Sequence, residues 1–323
     1  MRPGSHDGGG LGWPRPRTVR VEPRVAWLRY VLPGTVQVVW IGTVHPRLLA
    51  TLFALEGPAE FGQALIASLR HRDIELLVLR ATWNAGHFYH YSAHALWARI
   101  RERRGFLDAV TAGPEHARWD ERQASLLRAA DELHDDMAIG APTIRRLREF
   151  GYGDRELIEI CFIVAHYQLL GMLEESAAMP PEPLLRRPRT TTEMPRRPRT
   201  QRCDPRPDLE AHTPWTPGGD AVLSRHPALH AILSWYGRRM TRLSTLDGAE
   251  IGAALDDTVP DAADSRALVI DRAVDELYRE FFLSDTAWQG LLEYFTVREI
   301  LELCVLVGHY RTYAMIVATL EPD

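Results

Sequence analysis

The chain has 323 residues, 46% hydrophobic and 25% charged, the profile of a globular protein long enough for two domains. Its formal net charge of −5 gives no global reason to expect nucleic acid or a membrane surface as a partner. All 38 basic residues are arginine, which excludes Schiff-base catalysis, lysine-anchored pyridoxal phosphate and a P-loop lysine.

Residues 1–22 are rich in Gly and Pro, lack a signal-peptide apolar core and are expected to form a disordered tail. The apolar stretch Val25–Val44 is broken by Arg29, Pro33 and Gly34, so it does not read as a membrane span. Its β-branched residues allow extended structure. From His45 the pattern is helical. Two segments downstream resemble each other: "RELIEICFIVAHYQLLGML" from Arg155 and "REILELCVLVGHYRTYAMI" from Arg298, identical at Glu159/Glu302, Cys161/Cys304, His166/His309 and Tyr167/Tyr310 among others. "AADELH" from Ala129 echoes "AVDELY" from Ala273, and "HPRLLATLFAL" from His45 echoes "HPALHAILSWY" from His226. This is an internal duplication. It predicts a first repeat over 23–176 and a second, degenerate repeat over 219–323. Residues 177–218, dense in Pro and Arg, read as a linker.

Only the first repeat carries "WNAGHFYHYSAH", Trp83–His94, with the single asparagine Asn84 and the histidines His87, His90 and His94. Asp73 is expected to cap a helix through "IELLVLRATW", and "NAG" to break it. A second helix is then expected from His87 to about Arg104, with all three histidines within about 60° of one another on one face. In a hairpin of these two helices, Glu75 and His94 lie at nearly the same height. Farther on, Asp154 and Ser284 are expected to cap helices. His166 and His309 are expected to be buried, hydrogen-bonded core histidines, and Cys161 and Cys304 core thiols. Cys203 completes three cysteines without metal-site spacing, which fits a reducing, cytoplasmic setting.

The residues themselves support two chemistries. His87 and His94 are about 10.5 Å apart along a helix axis, too far to share one ion easily, whereas His90 and His94 share one readily. Glu75, His90 and His94 would then hold iron, manganese or zinc, with His87 outside that shell. Alternatively His94, oriented by Glu75, moves a proton on an organic acid or lactone without a cofactor, as a lyase or decarboxylase would, with His87 and Tyr89 as further proton-transfer candidates. A non-catalytic scaffold is the third reading, motivated by the degenerate second copy.

The segment "ELLVLRATWNAGHFYHYSAH", with "ADELH" and "ELIEICFIVAHYQ" after it, resembles the carboxymuconolactone decarboxylase and alkyl hydroperoxidase D family over roughly 46–174, and more faintly over 226–320. That resemblance implies an all-α helical bundle, with the two repeats packed as a pseudo-dimer, and further homo-oligomerisation. It implies an enzyme acting on a small molecule, with Glu75 as acidic relay residue and His94 as the motif-ending histidine. His87 and His90 stand where the peroxidase branch has its two redox cysteines, so thiol–disulfide peroxidase chemistry is excluded. Phe88 and His90 replace acids usual in the decarboxylase branch.

Overall fold

The computed structural model describes residues 44–56, 68–178, 217–246 and 265–320. The expected tail over 1–22, the Val25–Val44 segment up to residue 43, most of the 177–218 linker with Cys203, and most of the middle of the second repeat lie outside the described residues. Among the described residues every regular element is helical, so the chain is all-α. In the first repeat these are α1 (Pro46–Glu56), α2 (His71–Ala85), α3 (Phe88–Arg101), α4 (Phe106–Ala112), α5 (Glu121–Asp136), α6 (Ala141–Glu149) and α7 (Asp154–Ser176). The second repeat supplies α8 (Pro217–Leu223), α9 (Pro227–Leu243), α10 (Ser265–Glu280), α11 (Asp285–Leu292) and α12 (Val297–Leu320).

The two longest helices, α7 and α12, form the largest helix pair and the centre of the core. Each is apolar around its whole circumference, the pattern of a helix buried on every side. Both are long and apolar enough to cross a membrane, yet 94% and 83% of their apolar windows is buried inside the chain. Their crossing is close: a Cβ at Gly308 would stand 2.6 Å from Leu169 Cγ. On its other sides α7 is covered by α2, α3 and α5.

Two carboxylates inside this core are satisfied by the opposite repeat. His45 Nε2–H donates to Glu302 Oε1 at 2.6 Å, and His226 Nε2–H donates to Glu159 Oε1 at 2.9 Å. Each histidine also caps its own helix, Nδ1 accepting from Leu48 N–H in one copy and Leu229 N–H in the other. That backbone bond fixes the tautomer that presents Nε2–H to the carboxylate. Glu159 further accepts from the N–H groups of Ser68 and Leu69, and Glu302 from Thr245 N–H. The exchange recurs at the other end of the helices. Ile139 N–H donates to Thr319 Oγ1 at 3.1 Å, and its counterpart Leu283 N–H to Ser176 Oγ at 2.9 Å. Equivalent residues also meet each other, Arg311 Nη2–H donating to Gln168 Oε1 at 3.0 Å.

Two caps differ from expectation. Asp73 lies in the first turn of α2, whose N-cap is Arg70. Its buried carboxylate instead accepts from Arg122 Nη1 at 2.7 Å and from the Tyr152 hydroxyl. Asp154 is the first residue of α7, behind the N-cap Gly153, whose N–H is taken by Glu156. Asp154 itself pairs with Arg148 and Arg225. In both, a nearby guanidinium outcompetes the helix N–H groups for the carboxylate. Ser284 caps α11 as expected, accepting from Ala287 N–H.

Burial pulls the Glu159 and Glu302 carboxyls upward, but their His bonds and backbone N–H bonds outweigh it and hold both below the ordinary value of 4.5. A carboxylate depressed on folding contributes stability above its unfolded pKa and loses it as pH falls through the folded one. Global stability should therefore decline below pH 4.5, and the decline should be shallower in Glu159→Gln. Glu159→Ala, which strands two N–H groups and His226, should cost about 3–5 kcal/mol by denaturant unfolding at neutral pH.

Candidate functional site

The site begins with the α2–α3 hairpin. Gly86 ends α2 in the left-handed region, φ 69°, which a residue without Cβ adopts freely. The chain's single asparagine, Asn84, helps anchor α2. Its Nδ2–H donates to Asp131 of α5 at 2.6 Å, beside the two bonds from Arg80 to the same carboxylate. Trp83 and Tyr91 pack ring to ring at 5.3 Å across the hairpin.

This hairpin brings Glu75 and His94 together. His94 Nδ1–H donates to Glu75 Oε2 at 3.1 Å, assigned as donor because an ionised carboxylate only accepts. The side chains are 16% and 21% exposed, so the pair sits at the protein–solvent boundary. Burial raises the Glu75 carboxyl, but the His94 bond, then the charges of His94, His71 and Arg101, outweigh it and hold Glu75 below the ordinary carboxylate range. His71 Nε2 lies 3.9 Å from Glu75 Oε1 and accepts from Arg101 Nη1–H at 2.8 Å.

One turn before His94, His90 turns inward. Its Nε2 lies 3.0 Å from Glu174 Oε2 of α7, with side chains only 8% and 2% exposed. Tyr167 of α7 stands edge-on between the two histidines, 5.4 Å from His90 and 5.2 Å from His94. Next to it His166 is buried. It is a core histidine as expected but, among the described residues, its ring nitrogens make no hydrogen bond. It stacks on Phe162 at 5.5 Å instead, and burial, with His90 nearby, pushes its pKa down to about 3, so the ring is neutral. His309 is likewise neutral, pushed down to about 3 by burial. Cys161 and Cys304 are buried and form no disulfide among the described residues. Burial drives Cys161 up to about 12, so it is no nucleophile.

His87 departs from the expected stripe. It is the N-cap residue of α3, with φ −81° and ψ 85°, because Gly86 redirects the chain immediately before it. Helix α3 therefore runs Phe88–Arg101, shorter than expected at both ends. The His87 ring packs over Gly171 of α7 and meets Phe281 of the second repeat edge-on at 6.0 Å. Phe281 in turn stacks on His134 at 5.0 Å. Tyr89 is 1% exposed and lies against His90, 5.4 Å between centroids. It packs under the site rather than facing solvent.

The expected metal donors are thus divided. Glu75 and His94 form one pair, and His90 faces Glu174. Among the described residues no group of three His, Cys, Asp or Glu side chains is placed to hold one metal ion. Glu174 and Tyr167, neither a candidate from sequence, lie against these histidines. Glu174 carried a signal: with Glu159 and Glu175 it is an acid inside a mostly apolar helix that is buried on all sides.

Comparison with family models, with curated proteins and with solved structures returns no match. None of these comparisons shows the family that the motif residues resemble.

His87 and Gly171 test the packing beneath the site. A Cβ on Gly171 would stand 1.8 Å from His87 Nδ1, and the buried imidazole has no solvent to retreat into. Gly171→Ala should destabilise the chain by about 1–3 kcal/mol or more in denaturant unfolding. Adding His87→Ala should recover most of that loss. Equal loss in the single and double variants would contradict this packing.

Proposed function

We propose that the chain is a cofactor-free acid–base enzyme in which neutral His94, oriented by Glu75, moves a proton on a small organic acid or lactone. The observation that carries this reading is the His94 ring itself. Nδ1–H is held by Glu75 at 3.1 Å, and among the described residues Nε2 makes no hydrogen bond. Nε2 is then the lone-pair nitrogen. It takes the substrate proton, and the imidazolium that forms is stabilised by the ionised Glu75 beside it. The proton returns from Nε2 to the rearranged substrate, so histidine and carboxylate end as they began. The buried His90–Glu174 pair and the Tyr167 ring fix the face of α3 that carries His94.

The same reading makes the repeats a pseudo-dimer of the carboxymuconolactone decarboxylase-like type. Its support is the reciprocity of His45–Glu302 with His226–Glu159, and the meeting of Arg311 with Gln168. A two-fold interface has that signature: i touches j′, and j touches i′. One copy then carries the chemistry, and the other covers the face of α7 that a second subunit would cover.

A metal-supported reaction through Glu75, His90 and His94 requires His90 to leave Glu174 and join the other pair. Proton exchange separates the alternatives. A panel of small lactones and oxo acids is incubated with the full chain in D2O, and deuterium uptake at carbon is read by NMR and mass spectrometry. Uptake should occur without added metal, and should fall by about 100-fold or more in His94→Ala and in Glu75→Gln. Stoichiometric iron, manganese or zinc in tag-free protein, lost together with uptake in His90→Ala, would overturn the cofactor-free reading. Uptake indifferent to all three substitutions would overturn the site.

A further inference from the structure

At the far end of α3, about 10 Å along the helix from His94, lies an open cleft of about 630 Å³. Arg72 of α2, Arg101 and Arg103 at the end of α3, and Arg118 before α5 line it, against two acids, Glu102 and Asp120. In a chain whose net charge is −5, four guanidinium groups against two carboxylates make this cleft locally cationic. The excess creates a positive potential inside a concave surface, where field lines are focused.

The cations are not equally occupied. Arg72 pairs with Glu102 at 3.0 Å, and Arg101 donates to His71 at 2.8 Å. Arg118 is held in place, donating to the Arg104 carbonyl at 3.3 Å with its guanidinium 5.8 Å from the centre of the Phe106 ring. Arg103 makes no hydrogen bond or ion pair through its side chain among the described residues. Trp119 forms an aromatic wall. Its Nε1–H donates to the Gly113 carbonyl at 3.0 Å, and its ring meets Phe106 at 5.6 Å, so it is fixed before any ligand arrives.

We infer that this cleft is a binding site for a small polyanion of metabolite size, bearing phosphate or several carboxylates. Planar guanidinium forks bind such groups through paired N–H donors, and the volume falls within the range of small-molecule sites. The site is distinct from the Glu75–His94 pair and does not depend on its catalytic role. Arg101 alone connects the two, through His71.

Isothermal titration of the full-length chain with inorganic pyrophosphate and with citrate, at low ionic strength, tests the inference. Saturable one-to-one binding is expected for both, with acetate at matched ionic strength giving none. Arg103→Gln, whose side chain supports no other contact, should weaken binding about ten-fold, and Arg103→Glu should weaken it further. Both variants should keep the parent Tm. Binding no stronger than that of acetate, or affinity unchanged in both variants, would overturn the site. A short single-stranded oligonucleotide binding more tightly than pyrophosphate would also overturn it, since the cleft would then be part of a longer nucleic-acid track.

Discussion

Two carboxylates that cannot stay buried alone organise this chain. Glu159 and Glu302 occupy the same place in the two central helices and are almost wholly inside the core. A buried carboxylate without donors carries a desolvation cost of several kcal/mol. Each finds a histidine from the opposite repeat, and backbone N–H groups besides. The condition that both acids be satisfied ties α1 to α12 and the start of α9 to α7. With α7 and α12 locked together, α2, α3 and α5 can only sheathe the remaining faces of α7. The histidine-bearing helix is laid across α7 in consequence.

That placement sorts the histidines by depth. His90 meets Glu174 in the interior, His94 meets Glu75 at the boundary with solvent, and His87 is spent on packing against Gly171 and Phe281. Chemistry at a surface needs a base whose lone pair is reachable and whose orientation is set in advance. Only His94 of the three combines a carboxylate partner with partial exposure. Its companions add rigidity: a ring wedged between two histidines, as Tyr167 is, resists rotation of either.

Much of this was legible in the residues. The duplication was visible from repeated words, the helical class from periodicity, and the meeting of Glu75 with His94 from counting residues out from the Gly86 break. The rest depended on long-range geometry. Glu174 is 84 residues from His90 in sequence, and no periodicity in α3 reveals which part of α7 it will cross. The repeated "HP" words showed two equivalent histidines but not that each would serve the other copy's acid. Spacing alone puts His87 on the helix because it ignores the left-handed turn that Gly86 imposes. Local capping rules point to Asp73 and Asp154 but not to the arginines that claim them: Arg122, 49 residues from Asp73, and Arg148 and Arg225 on either side of Asp154.

The proposed chemistry turns on which nitrogen of His94 carries the proton. Long-range proton–nitrogen correlation spectra of the full chain, with His94 assigned through His94→Gln, report this directly. The Glu75 bond predicts that the neutral form of the ring carries its proton on Nδ1, which leaves the lone pair on Nε2, and that this preference is lost in Glu75→Gln. A ring protonated on Nε2, or an even mixture of tautomers indifferent to Glu75→Gln, would contradict it.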